Sequence, residues 1–525
     1  MVRKGIKRLT SLVVITSMLA CGFASAALPV QAQTAADTQP VVTQAEGNET
    51  AADEGRLTTN YSTVSQGCTQ AVYSGDEIIY KMSGAVSKAD RTLLTKDNYG
   101  YADEVIAVKA GDSVTLTLDV PVSGRYVMSF DYLSYDESIL PVEMGMKIDG
   151  SYPFYEARSM RFETTWVSDG VDVDRYGNEI VSLPDKLIQW EHKEVMDASY
   201  RYSDPLLVEL TQGEHEITLN IQEGTILLGN ISLSAPAQVP EYTGSQKAEG
   251  KELIVIEAED FYQRNDSSIH ATGEYGSSLS PLSATTTVLN IIDEDSFNEA
   301  GQMVSYQFHV DNAGYYYIGM NYRQSEKNDF PVFVDWRIDG EIPNQAFKSY
   351  QVDSANKFKT MTLTDDDSNK LSVYLEPGDH TISLTINADN LRYALEAVDE
   401  IMSGISDLSL EVTKVAGTNK DKYRDLKLTR YIPDLQDRLL GWVDELYSLA
   451  EQAQPYVNAK SPKKVAAFSY LLIAANQLKS LAEKPNELVY RVDELSTSVN
   501  SINTQIANFV DLINDNDLSI DRIYI

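Results

Sequence analysis

One passage of about forty residues occurs twice in this chain. Its first copy runs Val114-Thr-Leu-Thr-Leu-Asp-Val120, Pro-Val-Ser-Gly124 and Arg-Tyr126-Val-Met-Ser-Phe-Asp-Tyr132. The second copy runs Val304-Ser-Tyr-Gln-Phe-His-Val310, Asp-Asn-Ala-Gly314 and Tyr-Tyr316-Tyr-Ile-Gly-Met-Asn-Tyr322. Equivalent positions are offset by 190, as from Gly124 to Gly314. An offset that stays constant over about forty residues indicates a duplicated structural unit.

The pattern inside each copy predicts antiparallel strands. Apolar residues alternate at 114, 116, 118 and 120, and again at 126, 128, 130 and 132. Such alternation places one face of each strand in a core, and glycine-containing turns connect the strands. Short alternating strands without helical stretches between them predict a β-sandwich for each copy, of the jelly-roll or galactose-binding-like kind.

The two copies differ in length between their middle and late strands. The offset falls from 190 to 165 between Gly150 and the turn at Gly213, which corresponds to Gly378. The first copy therefore carries about 25 extra residues ahead of Pro205. An insertion of this kind is a suitable place for specificity, but it can equally be decoration.

The sequence divides into seven segments. We predict a signal peptide at 1–32, a disordered linker at 33–60, the first sandwich at 61–235 and a second linker at 236–250. The second sandwich follows at 251–415, with a closing strand at Leu408–Val412. A helical bundle at 416–516 and a terminal strand at 517–525 complete the chain.

The C-terminal region predicts three helices. They are marked by Pro433, by Ser461-Pro462 and by a heptad seam from Leu488 to Ile513. Short connections between such helices favour an antiparallel three-helix bundle. The final alternating residues, from Leu518 to Ile525, predict a strand that either continues into a further domain or closes back onto the second sandwich.

The N-terminus predicts export. Basic residues at 3, 4, 7 and 8 precede a short apolar stretch and small-residue cleavage sites. Cys21, in Met-Leu-Ala-Cys, is a possible lipidation site, and such an anchor would be the only attachment to a membrane. We expect an extracellular or cell-surface protein of a Gram-positive bacterium.

The net charge and the missing motifs exclude several classes of function. The formal net charge is −35, which argues against nucleic-acid partners. Five scattered histidines never fall at metal-ligand spacing, and the chain lacks His-Glu-x-x-His, Gly-x-Ser-x-Gly and phosphate-binding glycine loops. We therefore expect no catalytic residues and no enzyme activity.

Glu257-Ala-Glu259, at the start of the second sandwich, resembles the opening of carbohydrate-binding modules related to families 6 and 35. The resemblance implies that Glu257 and Glu259 help to bind a structural Ca²⁺. Carboxylates two residues apart on a strand point to one side, and calcium accepts several such oxygens. Two solvated acids on an edge strand are the alternative. The first copy has no equivalent pair.

Sugar recognition in such modules uses aromatic faces, which stack on the apolar face of a pyranose. The candidates are aromatic residues that lie off the alternating core. In the first sandwich they are Tyr135, Tyr152, Trp166 and Trp190, and in the second they are Tyr275, Tyr315, Tyr317 and Phe330.

A second resemblance covers the helical part. Tyr423-Arg-Asp425, Ile432-Pro-Asp434 and Leu518-Ser-Ile-Asp-Arg-Ile-Tyr524 resemble large Gram-positive extracellular solute-binding components of carbohydrate ABC importers. This resemblance implies oligo- or polysaccharide ligands and ABC permease subunits as partners, although the α/β part that grips a transported sugar is not in this chain. We predict non-catalytic carbohydrate binding at the cell surface. The alternatives are an adhesion or scaffold protein, or an accessory region of a polysaccharide-degrading enzyme.

Overall fold

The computed structural model describes residues 59–168, 170–248, 250–325, 327, 330–417, 426–457 and 465–525. All of them belong to one compact unit. The predicted signal peptide, the lipidation site Cys21 and nearly all of the first linker lie outside the described residues. None of the described helices has the length and apolar character that a membrane crossing requires.

The first sandwich contains two short helices and most of the first fifteen strands. The helices are α1 (Tyr61–Gly67) and α2 (Met82–Ala85). The strands are β1 (Ile78–Tyr80), β2 (Leu94–Thr95), β3 (Val105–Lys109), β4 (Ser113–Val120), β5 (Gly124–Ser134), β6 (Val142–Ile148), β7 (Met160–Phe162), β8 (Trp166–Val167), β9 (Asp172–Val173), β10 (Glu179–Ile180), β11 (Asp185–Lys186), β12 (Glu191–Glu194), β13 (Leu207–Leu210), β14 (Gly213–Glu223) and β15 (Thr225–Ser234).

Two antiparallel sheets enclose the core of this sandwich. One has the order β12-β5-β15-β3-β2, with β1 beside β15 and β13 beside β5, and the other has the order β4-β14-β6-β7. The alternating apolar residues of the sequence point into the space between them. Leu116, Leu118, Phe130 and Met146, for example, are fully buried there. Burying both inner faces in this way supplies most of the stability of a sandwich.

The second sandwich contains the remaining strands. They are β16 (Val255–Glu257), β17 (Gln263–Arg264), β18 (Ala271–Thr272), β19 (Ile291–Ile292), β20 (Met303–Val310), β21 (Gly314–Tyr317), β22 (Gly319–Gln324), β23 (Val332–Ile338), β24 (Tyr350–Val352), β25 (Ala355–Thr362), β26 (Ser372–Leu375), β27 (Gly378–Asn387) and β28 (Ser519–Tyr524). The main sheets have the orders β20-β27-β23-β24 and β16-β28-β22-β25. Trp336, on β23, is fully buried between them.

The strand pairing repeats from one sandwich to the other. Val120 pairs with Gly213 in the first, and Val310 pairs with Gly378 in the second. The last strand of each sandwich joins the first strand to the central one: β15 pairs with β1 and β5, whereas β28 pairs with β16 and β22. Strand β28 is therefore the second sandwich's equivalent of β15.

The helical region is an insertion within the second sandwich. Strand β14 leads to β15 through the single residue Gly224, whereas residues 388–518 separate β27 from β28. Four long helices occupy this interval: α3 (Arg392–Ala416), α4 (Leu435–Gln452), α5 (Ala466–Glu483) and α8 (Ile502–Asn514). Two single turns, α6 (Leu488–Arg491) and α7 (Asp493–Ser496), lie between α5 and α8.

This topology corrects three predictions. Leu408–Val412 is not a closing strand but part of α3, where Leu408 and Val412 are buried among the other helices. The second sandwich therefore ends before residue 392 and resumes at 519, and the bundle has four long helices instead of three. The predicted alternative that the terminal strand closes back onto the second sandwich is confirmed.

The predicted heptad seam is also interrupted. Residues 497–501 leave the helix, and Val499, a predicted seam residue, is 87% exposed. The side chain of Ser501 accepts a hydrogen bond from the backbone N–H of Thr504 and so starts α8 afresh. Serine side chains favour such a cap over a position inside a helix.

The extra residues of the first copy join the two sandwiches. Strand β8 pairs with β11 and, through Trp166 and Arg264, with β17 at the edge of a second-sandwich sheet. The β9–β10 hairpin adds a hydrogen bond from Glu179 N–H to the Thr287 carbonyl, 3.0 Å long. The insertion of the first sandwich therefore extends a sheet of the second sandwich and is not an independent loop.

Candidate functional site

Four aromatic side chains lie together on the outer face of the first sandwich. Tyr99, Tyr101, Tyr135 and Trp190 form this group, which we call the aromatic face. Tyr101, Tyr135 and Trp190 pack on a small apolar cluster that is separate from the main core and is made by Val105, Leu133 and Leu227. These three residues come from β3, β5 and β15, so neighbouring strands of one sheet support the rings.

Ring contacts hold the aromatic face in place. The centroids of Tyr99 and Tyr135 are 5.9 Å apart at an interplanar angle of 28°, and those of Tyr101 and Trp190 are 4.2 Å apart at 37°. Trp190 Nε1 donates to the Asn98 carbonyl over 2.9 Å. Tyr99 keeps 56% of its surface exposed. A ligand would therefore meet rings whose side-chain entropy has already been lost on folding.

Polar groups border the same rings. The Tyr101 hydroxyl donates to Asp131 and accepts from the Asn230 N–H. His192 Nδ1 lies 2.7 Å from the other Asp131 oxygen and is half exposed. Burial, together with the Asp131 hydrogen bond, raises the pKa of the Tyr101 phenol, so the hydroxyl stays protonated. Stacking surface and hydrogen-bonding groups thus occur side by side, as in sites for small polar ligands.

A second aromatic feature lies on the second sandwich. A groove of about 160 Å³, which we call the tyrosine groove, is lined by Ala248, Gly250–Leu253, Asn312–Tyr317 and Ile525. Tyr315 and Tyr374 are 39% and 50% exposed and meet edge to face with centroids 5.3 Å apart. Lys370 Nζ lies 5.1 Å from the centroid of the Tyr317 ring.

Glu257 and Glu259 lie at an acidic cluster beside β28. Asp521, on β28, is fully buried, and its Oδ1 accepts from the Ser280 N–H over 2.8 Å. Ser280 Oγ donates to Glu257 Oε1, but no described residue donates to Oε2 of Glu257 or of Glu259. Burial raises the pKa of both glutamates, that of Glu259 to about 8.

The unpaired glutamate oxygens fit a hard cation. An uncompensated buried carboxylate is costly, and a bound cation would remove that cost. No set of three or more His, Cys, Asp or Glu among the described residues has metal-holding geometry. A cation at Glu257 and Glu259 would therefore complete its coordination with carbonyl or water oxygens.

The first sandwich fills the equivalent space differently. The register of β1 on β15 and of β16 on β28 places Lys81 and Ser83 where Glu257 and Glu259 stand. Lys81 Nζ is 2.9 Å from Asp103. Gly229 takes the place of Asp521, and a Cβ there would lie 2.7 Å from the Tyr101 ring. In the described part of the first sandwich, a lysine and an aromatic ring thus stand where the second sandwich has its acids.

The structure separates the predicted ligand residues. Tyr135 and Trp190 meet in the aromatic face, and Tyr315 and Tyr317 meet in the tyrosine groove. Tyr275 is 77% exposed and belongs to neither feature.

Two of the predicted sugar-stacking residues are buried, so those predictions are wrong, and a third lies outside both aromatic features. Trp166 is 5% exposed because its strand lies between β11 and β17. Phe330 is 1% exposed because it packs against Phe468 of α5 and belongs to the bundle core. Tyr152 is half buried beneath Lys147 and lies outside both features.

Sequence reasoning missed Tyr99 and Tyr101. Both lie in Asn98-Tyr-Gly-Tyr101, ahead of β3, where no alternation marks them. The available signal was the spacing of two tyrosines around a glycine in a turn. Gly100, at φ +84°, gives the chain the bend that brings both rings to the same face.

Comparison with known families identifies the inserted bundle. Residues 393–513 match the family model described as bacterial solute-binding protein, 4-helix bundle domain. The match runs from the start of α3 almost to the end of α8 and so corresponds to the four long helices. It confirms the predicted resemblance of this region to solute-binding proteins. No curated protein matches the chain in sequence.

Solved structures resemble parts of the chain. The GH26-CBM35 β-(1,4)-mannanase of Podospora anserina is 11% identical over 34% of this chain and 31% of its own, with a TM-score of 0.19. A family 35 carbohydrate-binding module from Clostridium thermocellum is 15% identical over 32% of this chain and 100% of its own, with a TM-score of 0.18. This chain thus spans under a third of the mannanase.

Proposed function

We propose that this protein is a non-catalytic, exported carbohydrate-binding protein and that it belongs to the solute-binding component of a sugar importer. The observation that carries the proposal is the aromatic face. Its rings are fixed by contacts with one another, they are open to solvent at Tyr99, and Asp131 and His192 border them. Flat, pre-ordered rings beside hydrogen-bonding groups suit the alternating apolar and hydroxyl surfaces of a sugar.

The charge of the protein favours a neutral glycan. At a formal net charge of −35, anionic polysaccharides and nucleic acids are repelled at long range. Neutral oligo- or polysaccharides feel no such repulsion. The ligand class that we propose is therefore an uncharged glycan.

The inserted bundle favours the solute-binding role over an isolated adhesin. Its family model describes a domain of bacterial solute-binding proteins, and the sandwich that contains it is continuous with it through β27 and β28. We propose that permease subunits of an ABC importer are the partners and that the protein acts outside the cell, at the surface.

The binding proposal is tested by affinity electrophoresis of the full chain through gels that contain mannan, dextran, galactan or starch. Retention by at least one gel is expected. Tyr99→Ala combined with Tyr135→Ala should weaken it at least about tenfold, equivalent to 1.4 kcal/mol. Tyr431→Ala, which removes a 63% exposed tyrosine of the helical region, is the matched control and should change nothing. If no gel retards the wild-type protein, the proposal is refuted.

We also propose a structural Ca²⁺ at Glu257 and Glu259, supported by their unpaired buried oxygens. A cation that binds only the folded state raises its stability, so EDTA should lower the melting temperature and added Ca²⁺ should restore it. Glu257→Gln with Glu259→Gln should abolish that response, whereas the exposed Glu137→Gln should retain it. An EDTA response of the double variant equal to that of the wild type would exclude these residues.

A further inference from the structure

A buried lysine contacts the loop that carries one ring of the aromatic face. Lys186 lies on β11, and only 9% of its side chain is exposed. Its ammonium donates to Ser134 Oγ over 2.8 Å and to Asp136 Oδ1 over 2.9 Å. The same nitrogen lies 3.2 Å from the Asp136 carbonyl oxygen and 3.3 Å from that of Ser138. Each of the three N–H donors of the ammonium therefore has an acceptor within residues 134–138.

These contacts flank Tyr135 in the chain. Ser134, the last residue of β5, precedes it, and Asp136 and Ser138 follow it. The second carboxylate oxygen of Asp136, Oδ2, accepts from the N–H of Thr225 over 2.8 Å, at the first residue of β15. The backbone on both sides of Tyr135 is therefore fixed, on one side by β5 and on the other by Lys186 and β15.

Lys186 is itself held in a sheet. It pairs with Trp166 of β8, and Trp166 pairs with Arg264 of β17, so its backbone belongs to the sheet that continues into the second sandwich. Four residues further along the chain lies Trp190, another ring of the aromatic face. One segment of the insertion therefore supplies a ring at Trp190 and, at Lys186, a fixed point for the loop that holds a second ring.

The two copies of the repeat differ at this point. Strand β5 ends at Ser134 and β22 ends at Gln324, which are equivalent residues at the offset of 190. The next residue is Tyr135 in the first copy and Ser325 in the second. The second copy also lacks the extra residues of the first. In the sequence, the tyrosine and the insertion that fixes its loop thus occur together in one copy.

We propose that Lys186 is a positioning residue for sugar binding: through residues 134–138 it holds Tyr135 against Tyr99 before a ligand arrives. This inference rests on the proposed carbohydrate function, and it names a residue that acts on the ligand surface from behind. The rings of Tyr99 and Tyr135 already stack, with centroids 5.9 Å apart, so a ligand that uses both does not have to order them. Side chains and loops that must be ordered on binding reduce the affinity, and a loop released from Lys186 would impose that cost.

Affinity electrophoresis of the full chain, in a polysaccharide gel that retards the wild type, tests the role of Lys186. Lys186→Met keeps the length of the side chain but removes its donors, and it should weaken retention about threefold to tenfold. Lys348→Met is the matched control, because Lys348 is also mostly buried, at 16% exposed, and contacts a carboxylate outside the aromatic face, that of Asp204, over 2.6 Å. The control should be retained like the wild type. Equal retention of Lys186→Met and the wild type would overturn the proposal.

A second substitution separates positioning from folding stability. Lys186→Met leaves the Asp136 carboxylate without its ammonium partner, and Asp136→Asn in the same chain removes that charge. The double variant should regain melting temperature relative to Lys186→Met without regaining retention. Recovery of both would overturn the proposal, because the single variant would then have lost retention through lower stability alone.

A chain that already lacks the Tyr135 ring shows whether Lys186 acts through that ring. In the Tyr135→Ala background, Lys186→Met should cause little or no further loss of retention. A further loss as large as that in the wild-type chain would show that Lys186 acts elsewhere and would overturn the proposal. A wild type that no gel retards refutes the carbohydrate function and this inference with it. A retained wild type with an equally retained Lys186→Met refutes this inference alone.

Discussion

The return of the chain from the helical bundle to the second sandwich is the feature whose consequences are easiest to measure. Ile523 is completely buried and pairs with Ile256 on one side and Met320 on the other. Ile523→Ala removes three carbon atoms, at about 0.8 kcal/mol each, and leaves a cavity that adds roughly 1 kcal/mol. We expect the variant to lose about 3–4 kcal/mol of stability, a large share of the 5–15 kcal/mol typical of a domain.

The loss should be local, and hydrogen exchange with mass spectrometry can locate it. About 3 kcal/mol corresponds to more than a hundredfold faster exchange wherever the sheet must open for exchange to occur. The affected peptides should contain 255–257 and 319–324, the two strands that flank β28. Peptides from β14 and β15 in the first sandwich provide an internal reference and should exchange as in the wild type.

Two further variants make the result decisive. Tyr524→Ala changes the next residue, which is only partly buried, and should cost about 1 kcal/mol or less. Leu408→Ala, in the core of α3, should accelerate exchange in the helices and leave 255–257 unchanged. If Ile523→Ala left the exchange of both flanking strands at wild-type rates, β28 would not close this sandwich and the insertion topology would be refuted.

Three other substitutions test the packing. Phe330→Ala should cost about 3–5 kcal/mol in urea unfolding and leave retention in the polysaccharide gels intact, because this ring is core; lost retention at unchanged stability would contradict this. Hydrogen bonds to Asp339 and to a backbone carbonyl outweigh burial and raise the pKa of His380. The His380–Asp339 pair should therefore stabilise the folded state fully below about pH 6.5 and lose that contribution as the pH rises through the folded pKa. The urea midpoint of His380→Gln should depend less on pH between about 5.5 and 8 than that of the wild type, and equal dependence would contradict this. Gly145→Ala should lower the melting temperature, since the new Cβ would lie 2.7 Å from the Arg158 carbonyl oxygen. An unchanged melting temperature would contradict this and show that β6 can shift to make room for the methyl group.

Alternation predicted the main strands of the repeated passages in both sandwiches. A period of two can be seen in a single segment, and burying one face of each strand leaves few other arrangements. The burial of Leu116 and Phe130 follows directly from it. Helices α4, α5 and α8 were also visible, because proline and the helical spacing of apolar residues mark them locally. Their match to a solute-binding bundle domain agrees with the resemblance seen in the sequence.

The partners of those elements were decided only by tertiary structure. Leu408, Leu410 and Val412 alternate in the sequence although they belong to α3, so this segment was assigned to a strand. The strand that does close the sandwich, β28, follows the whole bundle. Trp166 and Phe330 lie off the alternating positions and were predicted to be exposed. Each is buried instead, because an element distant in sequence packs against it. Alternation identified the strand residues that avoid water, whereas burial by distant elements could not be seen in the sequence. Which surfaces they cover, and hence that Tyr99 and Tyr101 join Trp190 on an open face, depended on contacts across the fold that no local period records.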